Sequence, residues 1–221
     1  MHFFSIDHTF VEILDYKLSY LEFCAVVFGL IAITLSAKAN IWNWPIGIVN
    51  VILSGFFYYQ IQLYPDMFLQ VFFFITNIIG WWRWAHPKTM EADSKHELKV
   101  SFMKRKQLLL LCIIGITGTI CIGSLASQLH HWFPVLFNLP SAYPYTDSFI
   151  LVMSIATTFF VIQKKIEVWI VWILVDLIAT YLYFIKGAYF FSLEYLVFTL
   201  LAIFGLWGWM HEYKNYSVRT H

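Results

Sequence analysis

The chain has 221 residues, of which 60% are hydrophobic and only 12% charged. A soluble domain carries about 25% charged residues, so the composition is that of an integral membrane protein. The formal net charge of +1 excludes the basic footprint of a nucleic-acid binder. The three cysteines, Cys24, Cys112 and Cys121, lie in apolar stretches and exclude a disulfide or zinc framework.

Residues 1–19 carry Asp7, Glu12 and Asp15 against one base, Lys17, the reverse of a cleavable signal peptide. Phe3, Phe4, Phe10, Val11 and Leu14 could line one side of a short amphipathic helix on the membrane surface; a frayed terminus is the alternative. Seven apolar spans follow, at 20–36, 44–62, 66–84, 107–127, 147–163, 167–185 and 190–210. Each is near the ~20 residues that a helix needs to cross a bilayer. Between them lie a charged loop at 85–106 and a proline-containing loop at 128–146, and a tail covers 211–221. Lys17 and Lys186 fall on one side of the membrane. Lys38, seven bases in 83–106, Lys164, Lys165, Lys214 and Arg219 fall on the other. The asymmetry predicts an N-terminus outside and a C-terminus in the cytoplasm.

The chain repeats itself. Tyr64, Gly80, Trp82 and Trp84 match Tyr189, Gly205, Trp207 and Trp209 at an offset of 125 residues, and Trp44 and Trp169 share it. The repeat predicts two three-helix units, spans one to three and five to seven. With span four between them the two units run parallel, and transporters built this way place substrate near mid-membrane between the repeats.

Polar residues recur at helical spacing. Asn43, Gly47, Asn50, Ser54 and Tyr58 share one face of span two, and Gln70, Phe74, Asn77, Trp81 and Trp84 one face of span three. Amides inside a membrane can simply bond neighbouring helices for ~0.6–2 kcal/mol. In span four Gly115, Thr119 and Gly123 form a small-residue stripe that reads as packing, within or between subunits. In span six Trp169, Trp172 and Asp176 lie at i, i+3 and i+7, with Thr180 and Tyr183 extending the stripe. A mid-membrane carboxylate costs at least ~2.5 kcal/mol, so it faces a cavity or a partner. The alternative is a packing stripe with Asp176 tied to a neighbouring helix. Two indoles one turn from an acid suit a flat ligand that is cationic or bears hydroxyls. Glu194 and Tyr195 open span seven, where Glu194 reads as an interfacial acid near a helix N-terminus. Lys186 reads as a turn residue.

No His-Glu-x-x-His, Gly-x-Ser-x-Gly or phosphate-binding glycine loop is present, which speaks against an intramembrane enzyme. His130-His131 lacks a third ligand and reads as a surface pair, so no metal and no cofactor are expected.

Asn50-Val51, Gln60-Ile61-Gln62-Leu63-Tyr64, Leu69-Gln70-Val71-Phe72-Phe73-Phe74, Asn77-Ile78-x-Gly80-Trp81, Trp169-x-x-Trp172-x-x-x-Asp176 and Ser192-Leu193-Glu194-Tyr195 together resemble the PnuC family of bacterial vitamin transporters. The resemblance runs from about residue 20 to 210. It implies an all-α membrane protein of seven transmembrane helices: two parallel three-helix bundles joined by a linker helix, as in SWEET transporters. It also implies a homotrimer in the bacterial inner membrane. The function implied is facilitated diffusion of nicotinamide riboside, trapped afterwards by a cytoplasmic nucleoside kinase. Trp169, Trp172 and Asp176 match the family's ligand motif, whose last position is Asn or Asp. Asn50, Gln70, Phe74, Asn77, Thr180, Glu194 and Tyr195 complete the expected substrate-binding set. Thiamine carried by the same fold, and a seven-helix ligand sensor docking a partner through loop 85–106, are the rival readings.

Overall fold

The computed structural model describes residues 5–6, 9–13, 16–60, 64–93, 96–132, 140–187 and 189–218. Seven α-helices follow a short hairpin: β1 (Thr9–Ile13), β2 (Tyr16–Ser19), α1 (Tyr20–Ala37), α2 (Asn43–Gln60), α3 (Tyr64–Ala85), α4 (Arg105–Trp132), α5 (Pro144–Ile162), α6 (Val168–Ile185) and α7 (Tyr189–Val218). A 3-10 turn, Thr89–Glu91, lies between α3 and α4. The helices divide into two compact units. Residues 1–99 hold the hairpin and α1–α3, and residues 100–221 hold α4–α7. In the first unit α2 packs against both α1 and α3. In the second α6 packs against α5 and α7, and α4, expected as a linker, lies along α5.

Among the described residues five helices are long and apolar enough to cross a membrane by composition: α1, α4, α5, α6 and the Ser192–Tyr216 part of α7. The other two, α2 and α3, carry the amide stripes, and those residues lower their hydropathy.

The 125-residue repeat is structural. The ends of α1 and α5 (37 and 162), the limits of α2 and α6 (43 and 168, 60 and 185) and the starts of α3 and α7 (64 and 189) all differ by that offset. So do two turn residues with positive φ, Ala39 at 52° and Lys164 at 55°. Each unit contains the same knot. In the first, the Trp44 and Trp84 rings meet edge to face, 5.2 Å apart at 87°. In the second, Trp169 and Trp209 do so 5.4 Å apart at 87°. The Trp44 ring also lies on Gly80 of α3, and the Trp169 ring on Gly205 of α7, where any Cβ would strike it. Trp84 and Trp209 are fully buried.

Three expectations are corrected. Residues 1–19 were expected to form a surface helix or fray; instead Thr9–Ile13 pairs antiparallel with Tyr16–Ser19. Phe10 stacks on Phe23 of α1 at 4.3 Å, and alternating apolar residues suit a strand as well as a short helix. Phe3, Phe4 and Leu14 lie outside the described residues. Ser19 then starts α1 by accepting the Glu22 N–H at 3.1 Å. The expected tail at 211–221 is helical to Val218, because α7 simply continues. Loop 128–146 is shorter than expected: α4 runs to Trp132, and Pro144, well suited to a first turn, starts α5. Residues 133–139, including Pro134, lie outside the described residues.

The charged loop at 85–106 is folded against helix ends. On the first unit, Arg83 donates to Glu91 at 2.6 Å, Ala92 bridges Leu98, and the Leu98 N–H reaches the Trp84 carbonyl at 3.0 Å. The hydrogen bond from Arg83 holds the Glu91 carboxyl below its usual range, against a smaller opposing effect of desolvation. That contribution is present above the ordinary carboxylate pKa and fades as acid protonates Glu91. On the second unit, Ser101 and Ile166 exchange backbone bonds with the α5–α6 turn: Ser101 N–H to the Lys164 carbonyl and Ile166 N–H to the Ser101 carbonyl, both 3.0 Å. The Glu167 carboxylate accepts the Met103 N–H at 2.9 Å. Gln107 donates to Gln163 at 2.9 Å, which fastens the start of α4.

In α4 the small residues serve contact with α5: Gly115 faces Met153, Gly118 faces Val152 and Gly123 faces Tyr145. The stripe expected to pack within or between subunits therefore packs within the second unit.

The two knots should be equally sensitive. Gly80→Ala and Gly205→Ala each force a methyl into an indole that has nowhere to go, a cost of about 1–3 kcal/mol. Both should lower the thermal unfolding midpoint of the detergent-solubilised protein, read by tryptophan fluorescence. Gly187→Ala, where no neighbour approaches but φ is 75°, serves as the comparison for strain without a clash.

Candidate functional site

The helix α6 starts at Val168 and runs without proline or glycine to Ile185. Its β-branched and aromatic residues are tolerated because apolar packing, not propensity, holds a buried helix. Its inward side carries Val168, Trp169, Val175, Asp176, Ala179 and Leu182, all buried. Asp176 is 4% exposed, and no side chain among the described residues bonds its carboxylate. The expected alternative, an acid tied to a neighbouring helix, therefore has no bond to support it among those residues. A buried carboxylate without a partner is costly and persists where function needs it.

The residues around it differ in what they can offer. Trp172, one turn before Asp176, is half-buried. Trp169 is 4% exposed and held in the knot, and its indole N–H has no acceptor among the described residues. Trp44, its counterpart in the first unit, has the same unpaired N–H. Thr180 donates its hydroxyl to the Asp176 carbonyl at 2.7 Å, and Ser192 donates to the Thr180 carbonyl at 2.9 Å. Thr180 is left with acceptor capacity only. Tyr195 stacks on Tyr183 at 5.3 Å and 10°, and meets Phe198 edge to face at 5.9 Å. Glu194 is exposed and stands beyond the first turn of α7, which contains no acid. The macrodipole reading of Glu194 is thus weakened, since that effect decays within one turn.

The amides form a separate stripe in the first unit. Asn50 donates to the Ala25 carbonyl of α1 at 2.8 Å. Asn77 donates to the Phe73 carbonyl at 2.8 Å, and its carboxamide covers Gly47 of α2. Gln70 lies over Gly55, its Cβ 3.8 Å from where a glycine Cβ would stand. Phe74 is 36% exposed on the same helix. Asn50 and Asn77 have therefore committed a donor to structure and keep a carbonyl oxygen each.

Two features were not legible in the sequence. Thr157 of α5 is fully buried with its hydroxyl unpaired among the described residues; a lone threonine in an apolar run gives no signal. Lys186, read as a turn residue, bonds Asp147 of α5, 39 residues away. Among the described residues no three His, Cys, Asp or Glu side chains converge on a metal-sized site.

The chain matches the family model described as nicotinamide mononucleotide transporter over residues 19–211. It is 30% identical, across all of this chain and 99% of the relative, to the nicotinamide riboside transporter PnuC of Escherichia coli (strain K12). It is 24% identical to the riboflavin/roseoflavin transporter RibM of Streptomyces davaonensis, over 83% of this chain and 81% of that one. A crystal structure of the vitamin B3 transporter PnuC aligns with a TM-score of 0.63 and 25% identity, covering 89% of this chain and 83% of that chain.

An acid buried without a partner lowers stability, so removing it should raise stability. Asp176→Leu should increase the thermal midpoint of the purified protein, by the ~1–3 kcal/mol that an unsatisfied buried polar group costs. A lower midpoint would mean that Asp176 bonds something structural.

Proposed function

The chain belongs to the nicotinamide mononucleotide transporter family, and from that premise we propose that it carries nicotinamide riboside across the bacterial inner membrane. It is a multi-pass membrane transporter and not an enzyme. The observation that carries the choice of substrate is the buried carboxylate of Asp176, which has no bonding partner among the described residues, one turn from Trp172. A pyridinium ring is flat and permanently positive. The Trp172 indole supplies a stacking face, a cation–π contact of ~0.5–2 kcal/mol. Asp176 supplies either a counter-charge for the ring or an acceptor for the ribose hydroxyls. Trp169 holds the start of α6 in place, and its buried indole N–H has no acceptor among the described residues. Tyr195, Thr180 and Glu194 are proposed as further contacts on the same unit. The spare oxygens of Asn50 and Asn77, with Gln70 and Phe74, are proposed contacts on the first.

The riboside is favoured over its mononucleotide by charge. A phosphate monoester brings −1.5 to −2 charges and is recognised by Arg or Lys. No Lys or Arg occurs in α2, α5 or α6, and the two acids there, Asp147 and Asp176, would repel it. Riboflavin, named for one relative, is uncharged and makes no use of a buried carboxylate as counter-ion. Thiamine is a flat cation and is the competitor to exclude by experiment.

The further expectations stand with this proposal. Two three-helix units joined by α4 work by facilitated diffusion in a homotrimer, and a cytoplasmic nucleoside kinase retains the product. The base asymmetry supports an outside N-terminus and a cytoplasmic C-terminus.

Binding calorimetry on the purified protein with nicotinamide riboside, nicotinamide, thiamine and riboflavin tests the reading; tightest binding of thiamine or riboflavin would overturn it. Trp172→Ala should weaken riboside binding several-fold, about 1 kcal/mol or more. Asp176→Leu should abolish uptake into liposomes while the protein remains monodisperse. Asp176→Asn should be mild if the group accepts ribose hydroxyls. If the group neutralises the ring, the loss should be larger for charged than for uncharged nucleosides. Accumulation driven by an imposed proton or sodium gradient would refute facilitated diffusion. A reporter fused after His221 should read cytoplasmic.

A further inference from the structure

The C-terminal end of α6 holds a cation in a box. Lys186 ends the helix, its N–H bonded to the Leu182 and Phe184 carbonyls. Its ammonium lies 3.0 and 3.2 Å from the two carboxylate oxygens of Asp147, in the first turn of α5. It also lies 5.5 Å from the centre of the Tyr143 ring and 5.7 Å from that of Tyr183. The Lys186 and Asp147 side chains are 28% and 42% exposed, so water, and any solute, reaches the pair. An exposed ion pair of this kind adds little stability, ~0–1 kcal/mol. What the arrangement offers instead is recognition: a carboxylate and two aromatic faces around one point are what binds an organic cation.

The box is continuous with the stripe below it. Tyr183 follows Asp176 by seven residues, two turns along the same face of α6. Its ring stacks on Tyr195 of α7. A flat cation leaving the box meets the Tyr183 face next, and then the Asp176 level about 10 Å further along the helix.

We propose that Tyr143, Asp147 and Tyr183 form a second cation-recognition site for the transported ligand, and that Lys186 is its resident competitor. The proposal rests on the reading of the substrate as a pyridinium nucleoside. A ligand gains the box only by displacing an ammonium from a carboxylate. A permanently charged flat ring can do so, because it takes over both the ion pair and the ring faces. A neutral ring of the same shape cannot, because it would leave Asp147 and Lys186 paired and gain only the rings. Asp147 therefore selects for charge at the mouth of the unit, before the ligand reaches Asp176, and Lys186 sets how strongly a cation must compete to enter.

The test is the ratio of KM for nicotinamide riboside to KM for its uncharged reduced form, measured as uptake into liposomes. Lys186→Gln removes the competitor and keeps the length. It should lower KM for the charged riboside about threefold or more and leave the reduced riboside unchanged. Asp147→Asn should raise KM for the charged form alone. Lys186→Arg keeps a cation in the box and should keep the parent ratio. Parent protein that transports the riboside, with the same ratio in Lys186→Gln as in the parent, overturns the proposal and leaves the substrate reading intact. Parent protein that neither binds nor transports the riboside overturns both. Should Asp147→Asn fail to fold, the glutamine and arginine variants at 186 decide the matter alone.

Discussion

Each unit depends on an indole laid against a glycine. Inside a bilayer helices gain nothing by hiding apolar surface from lipid, so close packing and a few polar bonds must hold them together. Trp44 on Gly80, and Trp169 on Gly205, bring one helix backbone under the flat face of a ring on its neighbour. A second indole, Trp84 or Trp209, closes the arrangement edge to face. α2 is thereby pinned to α3, and α6 to α7, at the ends where α2 and α6 begin. The backbone bonds from Leu98 to Trp84, and from Ser101 to the Lys164–Ile166 turn, close the loop over those same ends. With one end of each helix pair fixed this way, the rest of α6 can carry an acid that has no bonding partner among the described residues.

The repeat separates architecture from function. Trp169 belongs to the tryptophan motif that resembles a ligand site, yet it is the one member with an identical counterpart, Trp44, in an identical role. The remaining candidates break the repeat. At the 125-residue offset Trp172 corresponds to Gly47, Asp176 to Val51, Thr180 to Gly55 and Glu194 to Leu69. In the other direction, Asn50 corresponds to Val175, Phe74 to Thr199, Asn77 to Ala202 and Gln70 to Tyr195. Residues that support the fold are shared by both units, because both units solve the same packing problem. A ligand has no such symmetry, and the side chains that would recognise it need not repeat. That distinction was already available in the sequence, in the same offset that revealed the repeat.

Other features could not be read so directly. The apolar runs announced the helices, and most of their limits fell within about three residues, because a bilayer dictates length; α4 and α7 run on further, to Trp132 and Val218. The amide stripes of α2 and α3 were visible, at the price of hydropathy too low for composition alone to mark them as spans. The N-terminal hairpin was missed because five scattered apolar residues fit a strand and a helix about equally. The folding of the charged loop rests largely on backbone bonds, such as Leu98 to Trp84, which leave no mark on residue identity. Lys186 looked like turn punctuation because the acid it bonds and one of the rings beside it, Asp147 and Tyr143, come from α5 and the residue before it.

The two units also differ in how their polar groups are satisfied, and this bears on where a ligand gains its affinity. In the first, Asn50 and Asn77 spend a donor each on a backbone carbonyl. Such bonds stabilise helix contacts whether or not a ligand is present, so the amides can add only the oxygens left over. In the second, the hydroxyl protons of Thr180 and Ser192 are committed in the same way, to the carbonyls of Asp176 and Thr180. The Asp176 carboxylate is not. A group already paired must break a bond to meet a ligand and gains little by the exchange. A group left unpaired has borne the cost of desolvation in advance and recovers it only when a ligand arrives. The largest change on binding is therefore expected at Asp176, and the ligand that relieves it best is one that brings a positive charge or several hydroxyl donors. A pyridinium riboside brings both.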